Sequence, residues 1–189
     1  MTAAFRGAAR SSDVRYRVLC VLVAGLLAAA TPSASAASRS SAVADQTSVP
    51  IESSSVLWAT INVCDTAAAP DTVGIRASMP GLARTASMLM RFQVQYRDQD
   101  GSWRSIASDA DSGWRLVGRA RRRAVESGQN FMFLPPADGG AHHLRGVVRF
   151  KWVRGDTVVA KAKRVTTAGH RSTAGADPPG YSAAVCDIR

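Results

Sequence analysis

Alternation of apolar and cationic side chains over Leu144–Thr167 constrains the fold more than any other feature of this sequence. The first run alternates three large apolar residues with two cations, in the order Val148, Arg149, Phe150, Lys151, Trp152. A period of two predicts a β-strand with one buried face and one solvent-facing face. A Gly155-Asp156 turn signal separates this run from a second β-rich run that starts at Thr157. The whole stretch therefore predicts an antiparallel hairpin.

The polarity of the second run predicts the register of this hairpin. A plain two-residue turn would place Lys161 and Lys163 on the apolar face, where unpaired charges are costly to bury. We therefore predict a three-residue Arg154-Gly155-Asp156 loop or a β-bulge. The expected pairs are Trp152 with Val158, Phe150 with Ala160, and Val148 with Ala162. Arg149, Lys151, Lys161 and Lys163 then share the outer face.

The N-terminal residues have the pattern of a targeting segment. A basic stretch precedes an apolar core at Val18–Ala30, and Ala34-Ser35-Ala36 fits the small-residue cleavage rule. We predict a signal peptide at 1–36 and a flexible, Ser- and Ala-rich linker at 37–54. The apolar core is too short for a membrane span. The expected location is secreted or associated with the cell envelope.

The cysteines fit an exported protein. Cleavage after Ala36 removes Cys20 and leaves Cys64 and Cys186. An isolated pair in an exported chain predicts one disulfide, which would tie the C-terminus to the first strand. Two separate buried thiols are the alternative.

Further β-patterns with turn signals between them precede the hairpin. The expected strands are Val56–Cys64, Thr72–Met79, Met88–Arg97, Trp103–Ile106 and Phe131–Leu134, with a last strand at Tyr181–Cys186 beside the first. Trp114–Gln129 reads as a short strand followed by an exposed basic loop, or as a short helix. The pattern predicts an all-β fold, a two-sheet antiparallel β-sandwich at 55–189 with a disulfide-tied C-terminal extension. At 189 residues, one domain is expected.

The strand order, the Phe150-Lys151-Trp152 run late in the chain and the tight final hairpin resemble a known family. Over about Val56–Thr167 the chain is similar to secreted bacterial fibronectin type III or immunoglobulin-like domains. The resemblance implies a binding or spacer role and brings no catalytic residues.

The sequence offers little for catalysis or metal binding. His142, His143 and His170 fall in expected loops, and adjacent histidines on an extended chain point to opposite sides. The runs Asp98–Gly101 and Asp109–Asp111 lack the full ligand spacing of a calcium loop, so we expect ordinary Asx turns. No cofactor is expected. We predict a non-catalytic binding or structural module, with an exported hydrolase that lacks a recognisable motif as the alternative.

Positive charge dominates the expected surface. Lys and Arg number 24 against 14 Asp and Glu, a formal net charge of +10. The predicted polyanion-binding residues are Arg149, Lys151, Lys161, Lys163, Arg91, Arg97, Arg121, Arg122 and Arg123. An anionic cell-wall or envelope polymer is the expected partner. Aromatic residues are not expected to interleave with these charges on the same face, so nucleic acid is not an expected partner. The alternative is a solvated face that protects the sheet from edge pairing.

Overall fold

The computed structural model describes residues 51–82, 86–106, 108–120 and 123–189. The predicted signal peptide at 1–36 and most of the predicted linker lie outside the described residues. In chain order the strands are β1 Trp58–Thr66, β2 Ala69–Pro80, β3 Ser87–Arg97, β4 Trp103–Ser105, β5 Arg115–Arg119, β6 Ala124–Met132, β7 His142–Arg154, β8 Thr157–Val165 and β9 Cys186–Ile188. Ile51–Ser53 and Ser108–Ala110 form single 3-10 turns. None of the described helices has the length and apolarity to cross a membrane.

The strands form two antiparallel sheets, so the predicted all-β class is confirmed. The smaller sheet has the order β1-β2-β6. The larger, six-stranded sheet is built on β3 and β7, which pair with each other. β4 and β5 pair with the other edge of β3, and β8 and β9 pair with the other edge of β7. The facing sides of the two sheets share one core, which is the layering of a β-sandwich.

Period-two alternation sends the apolar side of each strand into this core. The predicted inward residues of β7, Val148, Phe150 and Trp152, are fully buried. Trp152 Nε1 also donates a hydrogen bond to the carbonyl of Pro80, 2.9 Å away. The sheets approach closely at Gly146, where an added Cβ would lie 2.8 Å from Ile75 Cδ1 of the smaller sheet. No side chain larger than hydrogen fits there without movement.

The final hairpin contains the predicted bulge. Arg154 pairs with Thr157 across a two-residue turn, and Gly155 has a φ of 54°, which favours glycine. The register then shifts between Val153 and Trp152, so that β8 has one extra residue. The predicted outer face is confirmed, because Arg149 lies opposite Lys163 and Lys151 opposite Lys161.

The individual inward pairs predicted for this hairpin are wrong by two residues. Trp152 faces Ala160 rather than Val158, Phe150 faces Ala162, and Val148 faces Arg164. The bulge lengthens β8, whereas the predicted pairs require a longer connection. Either change keeps the lysines off the core, so the polarity argument alone does not distinguish them.

Residues in the middle of the chain form more β-structure than the sequence predicts. β6 begins at Ala124 and pairs with β2 from Pro80↔Ala124 to Thr72↔Met132, instead of beginning at Phe131. Backbone pairing defines this strand, and its small and polar residues carry no apolar alternation. For Trp114–Gln129 the sequence allows either a short strand with a basic loop or a short helix. The structure has the strand β5 at Arg115–Arg119, which pairs with β3.

The C-terminal segment differs from prediction in its pairing. The last strand is Cys186–Ile188 and pairs with β7, not with β1 as predicted for Tyr181–Cys186. Two isolated bridges, Ile61↔Ala183 and Val63↔Asp177, attach the preceding residues to β1. The predicted disulfide is confirmed, with the Cys64 and Cys186 sulfur atoms 2.03 Å apart.

Two further expectations need correction. His142 and His143 lie in β7 rather than in a loop, because β7 extends to pair with β9. The predicted linker ends earlier than Ser54, since Ile51 packs against the core and the Arg164 guanidinium donates a hydrogen bond to the carbonyl of Glu52. Arg164 Nε also donates to the carbonyl of Leu57 at 3.1 Å.

Candidate functional site

The solvent-facing side of the larger sheet gathers most of the predicted cations. We call it the cationic face and define it by the cationic and amide side chains that point outward from β3, β7 and β8: Arg91, Gln93, Gln95, Arg97, Arg145, Arg149, Lys151, Lys161 and Lys163. Arg149 stands between Arg91 on one neighbouring strand and Lys163 on the other. Because like charges directly opposite each other repel, this arrangement does not favour folding.

The four cations of the hairpin lie where the sequence predicts them. Arg149, Lys161 and Lys163 are exposed and Lys151 is half-buried. None of the four forms an ion pair with a carboxylate in the described part of the chain. Neighbouring strands are about 5 Å apart and alternate residues about 7 Å apart, so these charges lie within one Debye length of each other and their potentials add.

Arg91 lies on the cationic face but is neutralised there. Its Nε lies 2.8 Å from Asp111 Oδ1, and its Nη2 contacts the other carboxylate oxygen. Gln93 Nε2 also donates to Asp111, at 2.9 Å. The hydrogen bond from Arg91 is the main reason that the pKa of the Asp111 carboxyl lies below its usual value. Arg91 is therefore committed to an internal pair, which makes it a poor candidate for contact with a polyanion.

Two arginines of β7 are held by neutral groups instead. Arg149 Nε donates to Gln93 Oε1 at 3.0 Å, and Arg145 Nε donates to Gln95 Oε1 at 2.9 Å. Burial lowers the pKa of Arg145, but a guanidinium stays protonated at neutral pH. The amide partners orient both guanidinium groups along the face without cancelling their charge. Arg145 was missed as a site residue, although it continues the alternation of Arg149 and Lys151 by four residues.

The remaining predicted arginines are Arg97, Arg121, Arg122 and Arg123. Arg97 is exposed at the end of β3, where it pairs with Trp103 of β4. Arg121 and Arg122 lie outside the described residues. Arg123 directly precedes β6, and its carbonyl accepts a hydrogen bond from Gly81 N at 3.0 Å, so its backbone belongs to the edge of the smaller sheet. The part of Arg123 in polyanion binding stays a prediction.

Two tryptophans lie among the cations, contrary to the prediction that no aromatic residue shares this face. The guanidinium carbon of Arg145 sits 4.3 Å from the ring centroid of Trp103. Lys151 Nζ sits 4.1 Å from the ring centroid of Trp114, whose exposed fraction is 39%. Both contacts are cation–π geometries. Trp103 comes from β4 and Trp114 from the residue before β5, so neither belongs to the alternation that predicted the face.

A shallow groove of about 360 Å³ runs beside Trp114 over β7 and β8. Its charged lining consists of Arg149, Lys161, Lys163 and Glu52. Glu52 reaches this position because Arg164 fixes the backbone of Ile51–Ser53 against the domain. The groove therefore combines three cations, one carboxylate and one indole ring.

The groups weighed as metal or catalytic candidates have other roles. Asp100 Oδ1 accepts a hydrogen bond from the Ser102 amide at 2.7 Å, the Asx turn predicted for this run. His143 Nδ1 lies 2.7 Å from Asp187 Oδ1, and His170 stacks on Trp58 with the ring centroids 4.6 Å apart. Within the described ranges, no three His, Cys, Asp or Glu side chains are grouped closely enough to hold a metal ion.

Comparison with protein-family models, with curated proteins and with solved structures finds no match to this chain.

Proposed function

We propose that this chain is a non-catalytic, secreted or cell-surface binding module that holds an anionic polymer, such as a wall or envelope polymer, on its cationic face. The observation that carries the proposal is the position of Arg149 and Lys151. Both lie on β7, which is paired along both of its edges.

This position separates binding from edge protection. Lys161 and Lys163 lie on the edge strand β8, where lysine protects a sheet from pairing with another chain. An interior strand has no such edge to protect. Edge protection therefore does not explain why Arg149 and Lys151 are present on β7, where they repel Lys163 and Lys161 across the strands. Attraction of a polyanion supplies an explanation, because a dense patch of one sign raises the local concentration of opposite charge.

The arrangement of the strands supports the module class. A three-stranded β1-β2-β6 sheet packs on a larger sheet in which β3, β7 and β8 are successive neighbours, and this two-sheet antiparallel arrangement supports the proposed fibronectin type III or immunoglobulin-like class. Modules of this kind serve as binding domains and spacers. The disulfide between Cys64 and Cys186 fits an oxidising, extracellular location, as does the predicted signal peptide.

Salt dependence of polymer binding tests the proposal. The protein is expressed from the full-length chain, and its affinity for soluble polygalacturonate and for inorganic polyphosphate is measured at several salt concentrations. We expect the logarithm of the binding constant to fall linearly with the logarithm of salt, with a slope of about −3 for four neutralised charges on a single-stranded polymer. A salt-independent affinity, or no binding of either polymer, would contradict the proposal.

A further inference from the structure

The groove beside Trp114 mixes groups that no simple polyanion needs. Phosphate polymers are bound well by cations alone, and a carboxylate in their path repels them. Here Glu52 lines the same groove as Arg149, Lys161 and Lys163 and forms no ion pair with a described cation. A carboxylate is an acceptor of hydrogen bonds and therefore suits a ligand that carries hydroxyl donors as well as negative charge.

The indole ring supplies the third element. Lys151 covers one face of Trp114 and fixes the ring on the sheet, yet 39% of the residue remains exposed. The face of an aromatic ring is apolar and electron-rich, so it attracts flat apolar surfaces and polarised C–H groups. A pyranose ring has such C–H groups on one side and hydroxyls around its rim.

We propose that the ligand of this groove is an acidic polysaccharide whose pyranose units carry carboxylates. A sugar ring packs on Trp114, its carboxylate pairs with Arg149, Lys161 or Lys163, and a hydroxyl donates to Glu52. This inference rests on the proposed function, because the same cationic face supplies the charge. The volume of the groove, about 360 Å³, is in the range of small-ligand sites and fits a short stretch of polymer rather than a large domain.

The second tryptophan extends the same chemistry along the sheet. Trp103 is half-buried and carries Arg145 over its ring, in the same aromatic–cation combination as Trp114 with Lys151. The face thus repeats a pair of one ring and one cation at two places. A repeating polymer can occupy both places at once, which raises its affinity above that of a single unit.

The test compares three polymers of matched charge and length at one salt concentration: polygalacturonate, inorganic polyphosphate and single-stranded oligodeoxythymidylate. We expect Trp114→Ala to weaken polygalacturonate binding about tenfold, because aromatic contacts of this kind contribute that much, and to change polyphosphate binding less than twofold. Trp114→Phe should restore most of the loss. Glu52→Gln should weaken polygalacturonate and strengthen polyphosphate.

Leu116→Ala is the matched control, since Leu116 is an exposed apolar residue of β5, two positions after Trp114. It should leave all three affinities unchanged. Equal loss of polygalacturonate and polyphosphate binding in Trp114→Ala would overturn this inference and leave the proposed function standing. Preferential, Trp114-dependent binding of oligodeoxythymidylate would assign the groove to single-stranded nucleic acid instead. Failure of every polymer to bind would overturn the proposed function and this inference together.

Discussion

The outer faces of the two sheets differ in how far other parts of the chain cover them and pair their polar side chains. On the smaller sheet, Arg76 lies 3.8 Å from Glu126, and the polar residues of β1 are buried under the C-terminal segment. Thr60 Oγ1 lies 2.7 Å from Ser182 Oγ, and Asn62 Nδ2 donates to the carbonyl of Gly175 at 2.9 Å. On the larger sheet, nothing in the described part of the chain covers or pairs Lys161 and Lys163.

The contrast indicates a division of labour between the faces. The C-terminal segment closes the free edge of β1 through backbone bonds such as Ile61 N to the carbonyl of Ala183, at 2.9 Å, and the disulfide anchors it. This edge of the smaller sheet is thereby protected from pairing with other chains. On the cationic face, Arg149, Lys151, Lys161 and Lys163 have no carboxylate partner in the described part of the chain, at a cost in cross-strand repulsion that a bound polyanion would relieve.

Removal of the disulfide should have the largest effect, because the bond joins β1 of the smaller sheet to β9 of the larger sheet. The bond spans 122 residues of sequence, so Cys64→Ala/Cys186→Ala should lower the free energy of unfolding by about 4–5 kcal/mol as an upper guide. Urea unfolding of the variant and of the wild type measures the difference. The folded wild type should also show no thiol that reacts with a maleimide at either position. Labelling of both cysteines in the folded protein would contradict the disulfide.

Adjacent residues on β7 should differ sharply in their effect on stability. Phe150 is fully buried, so Phe150→Ala should lower the free energy of unfolding by about 3–5 kcal/mol. Arg149 is exposed, and Arg149→Ala should change it by less than about 0.5 kcal/mol. Arg149→Ala should instead weaken polymer binding. Comparable melting temperatures for the two variants would show that the inner and outer faces are not assigned correctly.

Asp111 offers a smaller change that sharpens the comparison. Because Arg91 holds the pKa of Asp111 below its unfolded value, the ionised carboxylate stabilises the folded state. That contribution is present at neutral pH and is lost as the pH falls through the folded pKa. Asp111→Asn should therefore be less stable than wild type at pH 7, and the difference should disappear in acid.

The same variant should bind anionic polymers more tightly, because it removes one negative charge and frees the Arg91 guanidinium. Asp138→Asn is the control, since it removes the same charge from an exposed turn, where Asp138 accepts a hydrogen bond from the nearby Gly140 amide. An unchanged affinity in Asp111→Asn would contradict the prediction, because it would mean that even an Arg91 freed from Asp111 adds nothing to polymer binding.

Sequence alternation was sufficient to predict which side of β7 is buried. It predicted the inward residues Val148, Phe150 and Trp152 and the outward cations Arg149, Lys151, Lys161 and Lys163. Register was less accessible, because a bulge at Val159 and a longer loop satisfy the polarity equally well. Arg145 could have been included by following the alternation of β7 further towards its start.

Features that depend on distant segments left no local signal. Arg91 and Asp111 are 20 residues apart and meet only because β5 and the residues before it fold back on β3. Trp114 belongs to no alternating run, so its place over Lys151 required the three-dimensional structure. The C-terminal segment attaches to β1 largely through backbone groups, which every sequence possesses.

Charge reversal on and off the cationic face tests the central claim most directly. Lys161→Glu/Lys163→Glu is compared with Arg171→Glu/Arg189→Glu, which makes the same change in net charge at exposed C-terminal positions, near β1 and outside the cationic face. At low salt the first variant should bind polygalacturonate about 100-fold more weakly, whereas the second should stay within a few-fold of wild type. The melting temperature of the first variant should hold or rise, because the new carboxylates face Arg149 and Lys151. Equal losses of binding in the two variants would show that net charge alone attracts the polymer, and would contradict a dedicated binding face.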